Sequence, residues 1–233
     1  MIAVDAPLTE QAETIDRVWN LFLALGLVVL ALVAGLMLWV IVRYRKRSDD
    51  GPHDLPPQKH YNIPMEVTYI VIPLAIVLGL FAVTFVTVDA IDDDDPDPDL
   101  VVDVIAFQWQ WRFDYPDSGV SITGEPGEFP ELVLPASSTV RFDLTALDVI
   151  HSFWIPAFRF KRDMIPGSPD SFRVDVADVA GYYPNTGVCA EFCGLDHTSM
   201  RFSVRILPPD EFAQWLREQP TDTPTIDPGE EGT

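Results

Sequence analysis

Cysteine and basic residues are scarce in this chain of 233 residues. It has two cysteines, and its 15 lysines and arginines stand against 36 aspartates and glutamates, which gives a formal net charge of −21. Nucleic-acid binding needs basic surface that neutralises phosphates, so this balance argues against a nucleic-acid partner. The sequence also lacks a triad-like catalytic pattern, a phosphate-binding loop and the Cys-x-x-Cys-His motif of covalent haem attachment.

The negative charge is unevenly distributed along the chain. Residues 1–88 carry six basic and eight acidic side chains, a net charge of −2, whereas residues 89–233 carry nine and 28, a net charge of −19. An acidic surface can steer a basic partner protein to its binding site, and it can equally be a general adaptation to high salt. The sequence leaves both explanations open.

Two long apolar runs without charged residues occupy the first part of the chain. The run at 18–42 has 25 residues and the run at 67–88 has 22. A helix of 25 residues is about 37 Å long, enough to cross a hydrocarbon core of roughly 30 Å. Four basic residues lie at 43–47, which places that end of the first span in the cytoplasm. We therefore predict a helical hairpin through the plasma membrane, with both chain ends on the outer face.

The rest of the chain is predicted to form an all-β sandwich or barrel. Short strand-like runs, separated by turn residues, occur at 100–106, 132–134, 138–145, 149–154, 171–176 and 200–207. Within 107–115 every second residue is aromatic, which puts those rings on one face of a strand. The predicted organisation is an external N-terminal segment (1–17), a transmembrane helix (18–42), a cytoplasmic loop (43–64), a second transmembrane helix (65–88), an acidic linker (89–99), the β domain (100–207), a short helix (208–218) and a disordered tail (219–233).

Both cysteines belong to a short cluster of soft metal ligands. Cys189 and Cys193 are followed by His197 and Met200, and His151 upstream is the candidate for a further ligand. Thiolate and thioether ligands favour copper. A disulfide, a Cys2His2 zinc site and a methionine that simply fills the core are the alternatives. A disulfide would close a loop too small to restrain the unfolded chain, and zinc would leave the methionine without a role.

The pattern Cys-x-Glu-x-Cys-x3-His-x2-Met, with His-Ser-Phe-Trp-Ile-Pro upstream, resembles the dinuclear copper site of cytochrome c oxidase subunit II. The resemblance implies that both cysteine sulfurs bridge two copper ions and that each copper takes one histidine. It also implies that the β domain is a cupredoxin-like sandwich. The implied copper ligands are His151, Cys189, the backbone carbonyl of Glu191, Cys193, His197 and Met200.

The resemblance implies an electron-accepting subunit of a proton-pumping terminal oxidase. A soluble donor, either cytochrome c or a small blue-copper protein, would deliver single electrons to the copper pair. The electrons would then pass to haem in subunit I, where oxygen is reduced to water, and subunit III would be a further partner. Haem would occur only in subunit I. Trp109 would receive the electron from the donor, and Trp111 would pack beside it.

Other residues acquire roles only through the resemblance. Glu66 would lie at the entrance of a proton path into subunit I, although a carboxylate near a helix N-terminus is also favoured by the macrodipole. Lys161 and Asp163 lie in 160–167, which by itself is predicted as a charged loop ending in a turn, and they would face subunit I. The Glu191 carboxylate would point towards a magnesium ion shared with subunit I.

Two other functions compete with this interpretation. Quinol oxidases have a similar subunit that lacks the copper ligands, whereas all six positions are filled here. From a different class, the chain could be a membrane-tethered copper chaperone or storage protein. Such chaperones usually hold a single exchangeable Cu(I) without a bridging pair of cysteines, so the number of bound copper ions separates the two functions.

Overall fold

The computed structural model describes residues 6–45, 59–91, 97–124 and 128–220. Residues 16–90 form one compact unit, the helical unit, and residues 1–15 together with 91–233 form another, the β unit. Most of the predicted cytoplasmic loop, the centre of the predicted acidic linker and nearly all of the predicted disordered tail lie outside the described residues.

Two helices, α1 (Glu10–Arg43) and α2 (Ile63–Ile91), are long and apolar enough to cross a membrane. The most apolar stretch of each helix has a mean hydropathy of 2.9 or 2.6 and no buried residue. Apolar side chains that are exposed all round a helix are typical of a membrane span. Both helices are longer than predicted, and α1 begins eight residues before the predicted span. Residues 10–17 are therefore helical, and residues 10–15 of this stretch belong to the β unit.

The β unit consists of two five-stranded sheets packed face to face. The first has the strand order β3-β2-β1-β5-β8 and the second β4-β10-β9-β6-β7. Neighbouring strands are antiparallel except for the parallel pairs β1–β5 and β4–β10. The strands are β1 Leu100–Phe107, β2 Gln110–Tyr115, β3 Val120–Thr123, β4 Glu131–Pro135, β5 Ser138–Ala146, β6 His151–Ile155, β7 Phe160–Met164, β8 Asp170–Val176, β9 Gly181–Cys189 and β10 Arg201–Leu207. Two apolar helices followed by a β-sandwich confirm the predicted fold class.

Aromatic side chains fill the space between the sheets. Trp111, Phe113 and Tyr115 alternate along β2 and are completely or almost completely buried. From the other sheet, Phe153 stacks on Phe202 with ring centroids 5.1 Å apart. Each such side chain contributes roughly 1.5–3 kcal/mol by leaving water. The aromatic core is therefore closely packed where β2 of the first sheet faces β6 and β10 of the second.

Two local predictions were wrong. The aromatic stretch 107–115 is not one strand, because β1 ends at Phe107 and β2 begins at Gln110. Trp109 therefore lies in the turn between them, outside the buried aromatic row. The segment predicted as a charged loop forms edge strand β7 over 160–164, paired with β6. Charged side chains are common on edge strands, where they hinder pairing with other chains, so the charges did not reveal the strand.

The residues just before α1 and in its first turn are built into the β unit. Leu8 is buried, donates its N–H to the Ala157 carbonyl (3.2 Å) and accepts the Ala177 N–H (3.0 Å). The side-chain amide of Gln11 donates to the Asp175 carboxylate at 2.7 Å and accepts the Asp175 backbone N–H at 2.9 Å. This N-terminal segment therefore completes one side of the sandwich.

Helix α3 (Pro209–Glu218) follows the last strand, as predicted for 208–218. Its aromatic residues Phe212 and Trp215 pack on Tyr115, with ring centroids 6.3 and 5.4 Å apart. The Tyr115 hydroxyl donates to the Val133 carbonyl and accepts the Val133 N–H, both at 2.9 Å. Burial raises the pKa of Tyr115 above its ordinary value, so this hydroxyl stays protonated at neutral pH.

Replacing Tyr115 by Phe should lower the free energy of unfolding by about 1–3 kcal/mol, because both polar groups of Val133 lose their buried partner. Urea unfolding of the full-length chain in detergent, followed by tryptophan fluorescence, measures this loss. Tyr182→Phe is the matched control, because Tyr182 is 55% exposed and its hydroxyl makes one long hydrogen bond, 3.3 Å to the Ser203 hydroxyl, so its loss should cost less than that of Tyr115. Equal effects of the two variants would contradict the expectation.

Three carboxylates lie side by side on neighbouring strands of the first sheet. Asp103 on β1 is directly opposite Asp114 on β2 and Asp143 on β5. Burial raises the pKa of Asp103, and the charges of the two neighbouring aspartates raise it further. Its folded-state pKa thus exceeds its unfolded value, so ionised Asp103 costs stability once the pH rises above about 4.

Asp103→Asn should therefore stabilise the β unit at pH 7. We expect a gain of less than about 1 kcal/mol, because Arg141 and Arg112 already offset part of the repulsion. The gain should shrink as the pH falls towards 4, where Asp103 becomes protonated. Unfolding at a series of pH values, with Asp117→Asn in an exposed turn as control, tests this. A gain that persists unchanged at pH 3 would refute it.

Candidate metal centre

The soft-ligand cluster lies at one end of the second sheet, where three strands meet. His151 is the first residue of β6, Cys189 is the last residue of β9, and Met200 directly precedes β10. Cys193 lies in the connection between β9 and β10, followed by a 3-10 turn that begins at His197. The connection 190–200, which we call the metal loop, is therefore held at both ends by neighbouring strands.

Backbone hydrogen bonds close the metal loop. The Cys189 N–H donates to the Met200 carbonyl at 3.0 Å, and the Ala190 N–H donates to the Ser152 carbonyl at 3.0 Å. The first bond joins the two ends of the loop, and the second joins the loop to β6, which carries His151. These bonds fix the relative positions of side chains that are far apart in the sequence.

The predicted ligand side chains converge at the centre of this loop. Cys189 Sγ lies 3.9 Å from Cys193 Sγ and 3.8 Å from His151 Nδ1. Cys193 Sγ in turn lies 3.6 Å from His197 Nδ1 and 3.8 Å from Met200 Sδ. His151, both cysteines and Met200 are buried. The donor atoms of His151 and the two cysteines all lie within 4.8 Å of one another, as a shared metal site requires.

The sixth predicted ligand, the backbone carbonyl of Glu191, faces the same cluster. Its oxygen lies 3.2 Å from Cys189 Sγ. The Glu191 side chain points elsewhere, with Oε1 3.6 Å from Lys161 Nζ on strand β7. Lys161 Nζ also lies 3.6 Å from the Asp163 carboxylate. The structure thus joins these three residues in one surface ion-pair group beside the metal loop.

The two cysteines are free thiols and share one ionisation. Burial opposes charge on Cys189, but hydrogen bonds with His151 and with the backbone of Ser152 and Glu191 outweigh it and lower its pKa. Burial raises the pKa of Cys193, and the neighbouring Cys189 thiolate raises it further. A cation is needed before both sulfurs can be ionised together.

The donor set fits a soft, redox-active metal. It offers two thiols, a thioether, two imidazoles and one carbonyl, and the cluster uses no carboxylate oxygen as a donor. Sulfur-rich sets of this kind suit copper, whereas magnesium and calcium prefer carboxylate and carbonyl oxygens.

Trp109 lies directly over the metal loop. Its indole N–H donates to the Cys193 carbonyl at 3.1 Å, and the side-chain amide of Gln108 donates to the same oxygen at 2.7 Å. Gly194 permits this approach, because its φ is +120° and a Cβ there would lie 3.1 Å from both side chains. Trp111 packs beneath the site, with its ring centroid 6.4 Å from that of His151.

The sequence analysis missed Asp148, which holds His151 from the side opposite the cysteines. Its Oδ1 lies 2.9 Å from His151 Nε2, and its Oδ2 accepts the Gln108 backbone N–H at 2.7 Å. These hydrogen bonds lower the pKa of Asp148, although burial opposes the shift. A carboxylate three residues before a predicted ligand histidine was the available signal, since such histidines usually donate their second ring N–H to a carboxylate or carbonyl.

Glu66 belongs to the helical unit and lies in the first turn of α2. Its Oε1 accepts the Asn62 backbone N–H at 2.9 Å, while the Asn62 side chain accepts the Met65 N–H at 3.4 Å. This reciprocal arrangement resembles a capping box. The carboxylate thus caps the start of α2, in addition to any role in proton transfer.

Comparison with known proteins gave a family and close relatives. Residues 129–207 match the family model for the periplasmic domain of cytochrome c oxidase subunit II. A probable cytochrome c oxidase subunit 2 of Streptomyces avermitilis is 35% identical, over 93% of this chain and 78% of its own length. Cytochrome c oxidase subunit 2 of Thermostichus vulcanus is 32% identical, over 90% of this chain and 76% of its own.

A solved structure is also similar to part of this chain. It is the periplasmic domain of cytochrome oxidase subunit II from Bradyrhizobium japonicum, which is 34% identical in sequence. The match has a TM-score of 0.46 and covers 52% of this chain and 94% of that one.

Replacing Gly194 by Ala should displace Trp109 from the metal loop. The new Cβ would crowd the indole ring, and the positive φ would add strain, at a combined cost of about 1–3 kcal/mol. Unfolding measures that cost, and a change in indole fluorescence that is lost in the Trp109→Phe background reports the displacement. Gly167→Ala is the matched control, because its φ is +75° but nothing lies near its Cβ. Equal changes of the Trp109 signal in both variants would contradict the expectation, because they would show that close packing against position 194 does not hold the indole ring in place.

Proposed function

Because this chain belongs to the family of cytochrome c oxidase subunit II, we propose that it is the electron-accepting subunit of a proton-pumping terminal oxidase. One observation carries the proposal: four further donor groups converge on the buried pair of cysteine sulfurs, and the six groups together come from strands β6 and β9 and from the metal loop. Membership of the family makes the chain a subunit of an oxidoreductase complex, with a periplasmic domain and a membrane-spanning part. The electron path, the metal ligands and the partners below are our proposals.

We propose that a dinuclear copper centre is held by the six groups predicted from the sequence. These are the side chains of His151, Cys189, Cys193, His197 and Met200 and the backbone carbonyl of Glu191. When bound, such a centre takes up and releases one electron at a time. The protein contributes ligands that hardly move, because the loop is closed by backbone hydrogen bonds and most of the ligands are buried. Burial also keeps water away from the sulfurs.

The donor would dock at the end of the sandwich that carries the metal loop. Trp109 is partly exposed there, and its N–H reaches the carbonyl of Cys193. Phe192 and Leu195 of the same loop are 79% and 89% exposed, which is unusual for large apolar side chains and favours contact with another protein. The acidic second part of the chain would steer a donor with a basic face, such as a cytochrome c.

We further propose that subunits I and III are the membrane partners and that the plasma membrane is the location, with the β unit and both termini outside. Electrons would pass from this subunit to haem in subunit I, where oxygen is reduced. Lys161, Asp163 and the Glu191 carboxylate form one exposed polar group that is suited to this interface. The Glu191 carboxylate would share a magnesium ion with subunit I. Glu66 would lie at the entrance of a proton path into subunit I.

Loading the full-length chain with copper in detergent tests this proposal. We expect two copper ions per chain that share one unpaired electron, seen as a seven-line hyperfine pattern in electron paramagnetic resonance. Cys193→Ser, which removes one of the two sulfurs, should bind fewer copper ions and lose that pattern. One copper with a four-line pattern in the unaltered chain would refute the proposal and favour a copper chaperone.

A further inference from the structure

We propose that Asp148 is a positioning residue that ties the turn carrying Trp109 to His151, so that one carboxylate aligns the electron-accepting tryptophan with the metal centre. The inference rests on the proposed function, since it assigns Asp148 a part in the same electron path. It concerns a residue that neither contacts the cysteines nor belongs to the predicted ligand set.

The two oxygens of Asp148 serve two different parts of the site. Oδ1 lies 2.9 Å from His151 Nε2, and Oδ2 accepts the Gln108 backbone N–H at 2.7 Å. Oδ1 also accepts the N–H of the next residue, Val149, at 2.7 Å, which fixes the carboxylate relative to its own backbone. A carboxylate held in this way can orient other groups, because it has little freedom to follow them.

The first oxygen determines which nitrogen of His151 faces the cysteines. A carboxylate only accepts hydrogen bonds, so the ring must carry its proton on Nε2. In the neutral imidazole, the unprotonated Nδ1 then points at Cys189, whose Sγ lies 3.8 Å away. Asp148 therefore selects the tautomer that presents a lone pair to the metal site.

The second oxygen fixes the turn between β1 and β2. Gln108 is bound to Asp148 through its backbone and to the Cys193 carbonyl through its side chain. The next residue, Trp109, donates to that same carbonyl. The turn is thus attached at one side to the residue that orients His151 and at the other side to the metal loop. Without Asp148, the Gln108 backbone N–H loses this acceptor, while the side-chain bonds of Gln108 and Trp109 to the metal loop stay possible.

Two substitutions of Asp148 separate position from charge. Asp148→Asn has nearly the same shape but offers one oxygen, so either His151 Nε2–H or the Gln108 N–H loses its acceptor. Asp148→Glu keeps both oxygens and the charge but moves them by one methylene. Asp117→Asn, in an exposed turn of the first sheet, is the control for the loss of one negative charge.

The first measurement uses the metal-free full-length chain. ¹⁵N NMR of the imidazoles, at a pH where they are neutral, reports the tautomer of each of the four histidines, and His151→Gln assigns the relevant signal. We expect His151 to be fully in the Nε2–H form in the unaltered chain and in Asp117→Asn. Both Asp148 variants should show a mixture of tautomers. An unchanged His151 signal in Asp148→Asn would overturn the inference.

The second measurement uses the copper-loaded chain and reduced cytochrome c as the electron donor. We expect Asp148→Asn to weaken copper binding by about 10–100-fold, as is usual for residues that orient a ligand histidine. At saturating copper it should also slow electron uptake, and this effect should disappear when Trp109 is already Phe. Independent, additive effects of the two substitutions would overturn the inference.

Failure of this inference differs from failure of the proposed function. If the unaltered chain does not bind two copper ions or does not accept electrons, the proposed function is refuted, and with it the part of Asp148 in electron transfer. If the unaltered chain does both, and Asp148→Asn behaves like Asp117→Asn, only the role of Asp148 is refuted. Wild-type behaviour of Asp148→Glu would also refute positioning, because it would show that the charge alone is required.

Discussion

The hydrogen bond from the Cys189 N–H to the Met200 carbonyl is the interaction on which the rest of the site depends. It brings together the end of β9 and the start of β10, so eleven residues of loop must fold back over the end of the sandwich. That path turns both sulfurs inward and exposes Phe192 and Leu195. β9 and β10 belong to a sheet that packs on the aromatic core. Both ends of the loop are therefore held in place by the sandwich.

Features that depend on neighbours in the sequence could be predicted, and features that depend on distant contacts could not. The residues from Cys189 to Met200, which include five of the six predicted ligands, span only twelve positions. Each membrane span is recognisable from its own run of apolar residues without charge. The end of β1 at Phe107 is different: the turn that follows is held by Asp148, 40 residues away from Gln108. The sequence around 107–115 alternates perfectly, so nothing local marks that turn. The bond between Asp148 and Gln108 was missed for the same reason, whereas the place of Asp148 three residues before His151 was a local signal that the sequence analysis did not use.

The site has a buried centre, a surrounding set of hydrogen bonds and an exposed surface, and a substitution has a different effect in each. Its centre is buried and sulfur-rich, and the neighbouring Cys189 thiolate raises the pKa of Cys193 there, so ionising one thiol opposes ionising the other. Around it, Asp148 and the Cys193 carbonyl gather hydrogen bonds that orient rings and backbone. Outside, apolar and acidic side chains meet solvent. On the proposed function, a change at the centre would remove the metal, a change among the surrounding hydrogen bonds would misalign it, and a change at the surface would alter the docking of the electron donor.

The N-terminal segment has a consequence for the order in which the protein assembles. Gln11 is bound to Asp175, 164 positions later in the chain, and Leu8 lies between the backbones of Ala157 and Ala177. During synthesis these first residues leave the ribosome long before their partners exist. On the proposed topology they would wait outside the membrane while both helices are inserted, so this side of the sandwich would form only after residue 177 has been synthesised. Copper delivered to the proposed centre before that moment would meet a β unit with one side still open.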